Sequence, residues 1–162
     1  MKQERLSLLF TRAKLKELVK EDKDIINAAR ESFSNAYAPY SGFLVGSSIL
    51  LENGKILNGS NQENVAYPSG LCAERVVLFY VGSQYPGIKI KTIAISAISK
   101  TFQIKDVVSP CGACRQVMAE YQQKQKDHIK ILLHSENNDV LIFKSVEHLL
   151  PFMFTNDLLK KY

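Results

Sequence analysis

The order of apolar and polar positions along the chain predicts helices that alternate with strands. Apolar residues recur every three to four positions over 18–36, which is typical of a helix with one buried face. Apolar segments over 72–80 and 112–122 predict two further helices. A short capped helix is predicted over 145–150, where Pro151 would end it.

Apolar segments of β type predict the strands, which cover residues 43–51, 55–59, 90–98, 129–134 and 140–143. The dipeptide Asn53-Gly54 between the first two predicts a tight hairpin turn with positive φ at both of its residues. Residues 90–98 are apolar on both faces, as expected of a strand that helices cover on both sides. This order of elements predicts a layered α/β domain with a mixed sheet.

The first residues of the chain have a weaker pattern. Leu6, Leu8 and Phe10 alternate with more polar neighbours, which predicts a short strand or an arm within 1–15. A length of 162 residues fits one domain. We therefore expect a single domain over 1–162, in which 1–16 is an N-terminal extension of unassigned role.

Charge and hydropathy limit the classes of partner. The net charge is +5, but between residues 14 and 24 lysines alternate with acidic residues. This pattern predicts a solvated surface of mixed charge and no nucleic-acid partner. The apolar segments are too short for a membrane span, and the stretch 6–10 is too short for the core of a signal peptide. We therefore expect a cytoplasmic protein with no membrane partner.

All three cysteines of the chain belong to two short motifs. Cys72 lies two residues before Glu74, and Cys111 and Cys114 form a CxxC pair at the start of a predicted helix. An odd number of cysteines without a signal peptide favours a metal site over disulfides. Three thiolates predict a zinc site, and the positive ends of two helix N-termini would favour the thiolate form.

The fourth ligand decides whether such a zinc site is structural or catalytic. His128, His134 and His148 stand at no zinc-finger spacing from the cysteines, so we interpret them as surface or strand-end residues. The fourth position is then open to water, and Glu74 is placed to accept its proton. Arg75 would offset the negative charge of the thiolates by hydrogen-bonding to sulfur.

Several motifs in this order resemble the cytidine deaminase family. They lie at 37–46, 61–64, 72–75, 109–116 and 149–151, followed by Phe154. The resemblance implies a three-layer α/β/α fold with a mixed five-stranded sheet, and the Cys-only zinc site with Arg75 is similar to the family's homotetrameric branch. The pair Phe152-Met153 departs from the small residues that commonly precede the final phenylalanine.

The resemblance also implies the roles of the residues near the metal. One zinc ion per subunit would be bound by Cys72, Cys111 and Cys114. Glu74 would carry a proton from water to N3 of the base and then to the leaving ammonia, as in zinc-dependent deaminases generally. The backbone of Ala73 would meet the base, and the carbonyl group of Ser109 would lie near the exocyclic amine.

Further substrate contacts follow from the same resemblance. Asn61 and Glu63 would hydrogen-bond the 3′-hydroxyl group of ribose, and Phe43 would pack against the base. Phe154, together with Tyr67, would reach the site of a neighbouring subunit. A buried polar pair such as Asn61 and Glu63 suits a sugar hydroxyl, because a polar ligand can satisfy it.

We therefore expect hydrolytic deamination of cytidine and 2′-deoxycytidine to uridine and 2′-deoxyuridine, with release of ammonia, in pyrimidine salvage. Two alternatives stay open. The enzyme could act on another cytosine compound such as blasticidin S, although the pair Asn61 and Glu63 would then have no ribose to bind. The protein could also be a non-catalytic binding module that zinc stabilises.

Overall fold

A mixed sheet forms the centre of the computed structural model, which describes residues 1–155. Its strands are β1 (Thr11–Lys14), β2 (Phe43–Leu51), β3 (Ile56–Ser60), β4 (Ile90–Ser99), β5 (Lys130–His134) and β6 (Asp139–Phe143). The order across the sheet is β1-β6-β5-β4-β2-β3. Strands β4 and β5 are parallel, and the other neighbouring pairs are antiparallel.

Helices cover both faces of this sheet. The α-helices of the described part are α1 (Lys20–Glu31), α2 (Ala73–Gln84) and α3 (Gly112–Gln125), and 3-10 turns lie at Leu15–Glu17, Ser32–Asn35, Tyr67–Ser69 and Val146–His148. Helix α1 packs on one face, where Ile25 and Ile26 are fully buried. Helices α2 and α3 pack on the other face, around Leu78, Met118 and Ile131. This arrangement confirms the predicted three-layer α/β/α fold.

The sheet has six strands, one more than predicted. The additional strand is β1, which pairs antiparallel with β6 and places Thr11 opposite Ile142. Leu6, Leu8 and Phe10 lie before this strand and are exposed. The alternation of apolar and polar residues predicted a short strand or an arm in this region, and pairing with the edge of β6 decided that residues 11–14 form the strand.

Three local predictions change in detail. The predicted short helix over 145–150 is a 3-10 turn over Val146–His148, and Ser145 is its N-cap residue. Helix α1 ends at Glu31, and a 3-10 turn over Ser32–Asn35 completes the predicted helical segment. The hairpin at Asn53-Gly54 is confirmed, but the predicted turn type is wrong, because Gly54 has a φ of +83° and Asn53 has no positive φ. The backbone N–H of Leu51 bonds to the carbonyl oxygen of Lys55, so the connection spans three residues, 52–54.

Two glycines allow the helices to lie close to the sheet. A Cβ atom on Gly46 would lie 1.8 Å from the carbonyl oxygen of Ala29 in α1. A Cβ atom on Gly59 would lie 2.9 Å from the backbone nitrogen of Val77 in α2. The absence of a side chain at Gly59 therefore allows the first turns of α2 to lie against β3. Within residues 1–155, no helix is both long enough and apolar enough to cross a membrane.

Candidate metal centre and active site

Three cysteine sulfurs meet where the N-terminal ends of α2 and α3 converge. Cys72 is the N-cap residue of α2, and Cys111 is the N-cap residue of α3. The sulfurs of these two residues and of Cys114 lie within 4.8 Å of one another. The Cys72–Cys111 and Cys111–Cys114 sulfur distances are 3.9 and 3.3 Å. Sulfurs bound to one tetrahedral zinc at about 2.3 Å lie about 3.8 Å apart, so this cluster fits zinc.

Among the described residues, no histidine or carboxylate joins this group of sulfurs. His134 is buried at the end of β5, where its Nδ1 atom lies 2.9 Å from the hydroxyl oxygen of Ser96. His148 contacts the carbonyl oxygen of Leu9, and His128 is exposed. The arrangement can therefore supply three protein ligands, the number that is typical of a catalytic zinc site with an open position.

Hydrogen-bond donors lie next to two of the three sulfurs. The backbone N–H of Cys114 donates to Cys111 Sγ at 3.4 Å, and Arg75 Nη2 lies 3.9 Å from Cys72 Sγ. Hydrogen bonds from the Cys114 thiol and from Arg75 lower the pKa of Cys72 to about 5, although burial opposes them. Hydrogen bonding to Cys72 and burial raise the pKa of Cys114. Arg75 and the neighbouring thiols therefore favour the thiolate form of Cys72.

The sulfur cluster opens onto a cavity of about 600 Å³, which Glu74 also lines. Glu74 lies in the first turn of α2 and is 4% exposed. Burial raises the pKa of Glu74, while hydrogen bonds from its own backbone N–H and from the Cys114 thiol act in the opposite direction. A buried carboxyl group beside a metal site is in a position to exchange protons with a bound substrate.

Glu63 lines the same cavity and is held by the turn before β2. Its carboxylate accepts hydrogen bonds from the backbone N–H of Tyr40 at 2.9 Å and of Ser41 at 3.4 Å, and from the Ser41 hydroxyl group at 2.5 Å. The Ser41 hydroxyl group, with the smaller effect of the two N–H groups, lowers the pKa of Glu63 against the opposing effect of burial. A carboxylate has about four lone-pair positions, so Glu63 can still accept a hydrogen bond from a ligand.

The side-chain amide of Asn61 is bonded to the start of β2. Its Oδ1 atom accepts from the backbone N–H of Val45 at 2.8 Å, and its Nδ2 atom donates to the carbonyl oxygen of Phe43 at 2.9 Å. The amide retains one N–H and one lone pair for a ligand. Asn61 therefore also holds the strand that carries Phe43, a role that the sequence did not predict.

Most of the sequence-predicted site residues lie together. The cavity is lined by Phe43, Asn61, Glu63, Tyr67, Cys72, Glu74, Arg75, Ser109 and Cys111. Ala73 and Cys114 are fully buried and do not line it. Phe154 lies outside the cavity of its own chain and is 69% exposed. The Gln116 side chain holds the Phe154 backbone, with Nε2 donating to its carbonyl oxygen at 2.8 Å and Oε1 accepting from its N–H at 3.3 Å.

Tyr40 and Ser41 also line the cavity, and the sequence motifs did not predict a role for either residue in the site. Both residues orient Glu63 through their backbone N–H groups. The feature of the sequence that could have indicated this contact is the turn between Pro39 and Gly42. Gly42 has a φ of +64°. Successive N–H groups of such turns commonly bind a negatively charged group.

Comparison with known proteins identifies one family. Residues 19–127 match the family model described as the cytidine and deoxycytidylate deaminase zinc-binding region. A cytidine deaminase of Halalkalibacterium halodurans is 37% identical over 131 residues, which cover 81% of this chain and 92% of that protein. A probable cytidine deaminase of Dictyostelium discoideum is 36% identical over 135 residues, which cover 82% of each chain.

Solved structures give the same result at the level of the fold. The crystal structure of cytidine deaminase from Burkholderia pseudomallei matches with a TM-score of 0.70 at 37% identity, covering 81% of this chain and 97% of that chain. The crystal structure of cytidine deaminase from Mycobacterium tuberculosis matches with a TM-score of 0.64 at 29% identity, covering 85% of this chain and 98% of that chain.

Proposed function

The chain belongs to the cytidine and deoxycytidylate deaminase family, and we propose that it hydrolyses cytidine to uridine and ammonia. The observation that carries this proposal is the presence of three clustered sulfurs and the buried carboxyl group of Glu74 at one cavity. We extend the proposal to 2′-deoxycytidine, because the proposed ribose contacts use the 3′-hydroxyl group. The reaction would serve pyrimidine salvage.

Zinc is the cofactor, and Cys72, Cys111 and Cys114 are its proposed ligands, one ion per subunit. Bound zinc supplies Lewis acidity, which lowers the pKa of water at the open position. Thiolates are among the donors that zinc prefers. The two helix N-termini and Arg75 bring positive charge to the sulfurs and thereby favour the thiolate form that binds metal.

Glu74 is the proposed proton carrier. Its carboxylate accepts one proton of the attacking water and delivers it to N3 of the cytosine ring, while the water oxygen bonds to C4. It then accepts the second proton from that oxygen and delivers it to the amino group, which leaves C4 as ammonia as the C4=O bond forms. Its burial supports this role, because bulk water has little access to the carboxyl group. The backbone of Ala73 and the carbonyl group of Ser109 are proposed to hold the base and its exocyclic amine. Ser109 lines the same cavity as Glu74, which supports this assignment.

Asn61 and Glu63 are proposed to bind the 3′-hydroxyl group of ribose, and Phe43 is proposed to pack against the base. The free lone pair of the Glu63 carboxylate and the remaining N–H of Asn61 support the ribose assignment. A compound without ribose would make no use of this pair. This argument favours a nucleoside over blasticidin S as the substrate.

We further propose a homotetramer in which Phe154 and Tyr67 reach a neighbouring subunit's site. Both side chains are exposed, and Gln116 holds the Phe154 backbone. Light scattering on the purified protein is expected to give the mass of four chains, and a monomer would contradict the proposal. We also propose a cytoplasmic location, because a reducing compartment keeps the three free thiols available to zinc.

The direct test is the ultraviolet absorbance change of cytidine incubated with purified, zinc-loaded protein. Glu74→Gln is expected to retain fold and zinc but to lower turnover about 100- to 10,000-fold, because the proton carrier is lost. Glu120→Gln is the control, since Glu120 is exposed on α3. No turnover by the wild-type protein with a full zinc complement at several pH values would overturn the proposed function. Retained activity of Glu74→Gln would remove Glu74 from the mechanism.

A further inference from the structure

The loop between β4 and α3 brings a second phenyl ring against Phe43. The ring centroids of Phe43 and Phe102 are 6.3 Å apart, and the ring planes differ by 12°, which is a stacked arrangement. Phe43 lines the cavity, whereas Phe102 contacts Phe43 from outside it. Phe102 is 57% exposed, so burial in the core does not account for its position.

The loop that carries Phe102 is anchored on both sides of it. Before Phe102, the backbone N–H of Lys100 donates to the carbonyl oxygen of Gly42 at 3.0 Å, and the Thr101 side chain lies against Gly42. After Phe102, the side chain of Ile104 is buried. Because Gly42 directly precedes Phe43, these contacts hold the loop against the start of β2. The rings of Phe102 and Phe43 are thereby placed next to each other.

Phe43 itself is held mainly through its backbone. Its N–H donates to the Ser41 hydroxyl oxygen at 3.0 Å, and its carbonyl oxygen accepts from Asn61 Nδ2 at 2.9 Å. These bonds leave the side-chain torsions free. The ring is only half-buried, so stacking on Phe102 restricts the rotamers that it can adopt.

We infer that Phe102 is a positioning residue, which holds the Phe43 ring in the orientation that packs against the base of the substrate. The inference rests on the proposed function, because it takes the cytosine base as the partner of Phe43. A ring that is held before binding loses less conformational freedom on binding, so the stack improves affinity for the substrate. Phe102 touches neither the substrate nor the reacting atoms and acts through Phe43.

The test measures cytidine kinetics of the zinc-loaded 162-residue protein carrying Phe102→Leu. We expect KM to rise about 3- to 10-fold with little change in kcat, because the lost interaction serves ground state and transition state alike. Phe102→Tyr restores the ring and is expected to return KM close to the wild-type value. Phe10→Leu is the matched control, because Phe10 is 55% exposed and stacks on Phe143 at 5.7 Å. This control is expected to leave KM unchanged.

A double-mutant cycle separates positioning from a general structural effect. In a Phe43→Leu background, the further change Phe102→Leu is expected to leave KM unchanged, because the residue through which Phe102 acts is already missing. An unchanged KM in Phe102→Leu alone, or an equal rise in both backgrounds, would overturn the inference. Turnover of cytidine by the wild-type protein is measured before any variant is compared. Absence of that turnover would overturn the proposed function as well as this inference.

Discussion

Arg75 brings a positive charge to a site that contains three sulfurs. Its Nη2 atom lies 3.9 Å from Cys72 Sγ, whereas its Nε atom is buried and has no hydrogen-bond partner within residues 1–155. An unpaired buried donor is unfavourable, so the attraction between guanidinium and thiolate has to offset that cost. Three thiolates would give a zinc site a net charge of −1 and weaken its Lewis acidity, and the charge of Arg75 would reduce this excess of negative charge.

Arg75→Gln is expected to lower kcat about 10- to 100-fold and to change KM less, because its contact is with a proposed metal ligand and not with substrate. Steady-state kinetics on samples of measured zinc content check this. Arg5→Gln is the control, since Arg5 is exposed in the N-terminal extension. An unchanged kcat at full zinc content would contradict the proposed charge compensation.

His134 is a buried titratable residue outside the proposed mechanism. It lies at the end of β5, and its ring nitrogens face the Ser96 hydroxyl group and the Asn138 side chain. Burial lowers the pKa of His134; the Asn138 contact opposes this effect, and the charge of Arg30 adds to it. The folded protein therefore keeps this ring neutral at pH values where an unfolded chain protonates it.

The free energy of unfolding is expected to fall as the pH decreases from about 6.5 through the lowered pKa of His134, because the unfolded chain binds a proton that the folded chain does not. His134→Gln should reduce this slope. Urea denaturation between pH 7.5 and 5 measures it in both proteins. Protonation of the cysteines is common to both and cancels in the comparison. Equal slopes would contradict the prediction.

At the scale of elements, the site depends on how closely the helices approach the sheet. Gly46 in β2 faces the C-terminal turn of α1, where the Ser32 hydroxyl group bonds to the carbonyl oxygens of Ala29 and of Gly59 in β3. This hydroxyl group therefore connects α1 with the edge of the sheet. Gly59 in turn faces α2, which carries Glu74 and Arg75. The glycines thus set the spacing between the layers on both faces.

Gly46→Ala is expected to lower the free energy of unfolding by about 3 kcal/mol, because the added methyl group would overlap the backbone of α1. Gly112→Ala is the matched control, since no atom lies within 4 Å of the position of its Cβ. This control is expected to change stability by less than about 1 kcal/mol. Urea denaturation compares the two variants, and equal stabilities would contradict the close approach at Gly46.

At the scale of the whole molecule, zinc would connect parts of the chain that are distant in sequence. Cys72 begins α2 and Cys111 begins α3, and the strand β4 lies between these two helices along the chain. A metal that binds only the folded arrangement of these residues stabilises the fold by mass action. On the proposed ligand assignment, stability and activity would therefore be linked through the same three sulfurs.

Removal of zinc with a chelator is expected to abolish turnover and to lower Tm by about 10 °C, since a ligand at 1,000-fold excess over its Kd contributes about 4 kcal/mol. Added zinc should restore both. Differential scanning calorimetry with and without chelator measures the shift. Cys111→Ser lacks one proposed ligand, so its Tm should respond much less to the chelator. An equal response of this variant would contradict the assignment of Cys111.

Local patterns in the sequence determined the helices, the five predicted strands and the chemistry of the cysteine motifs. Helical spacing, β-type apolar segments and a CxxC pair are properties of neighbouring residues, so they can be recognised without the fold. The same is true of the hairpin at Asn53-Gly54, although its turn type was wrong. These features are sufficient for the fold class and for a zinc site.

Only the tertiary structure decided which distant groups meet. It places β1 at the edge of β6, the N–H groups of Tyr40 and Ser41 on Glu63, and Phe102 against Phe43. Each of these contacts joins residues that are far apart in the chain or in different elements. Their formation depends on the packing of the sheet and its loops, which the spacing of apolar residues along the chain does not predict. The sequence therefore determined the chemistry of the metal site, and the fold decided the contacts that orient the groups around it.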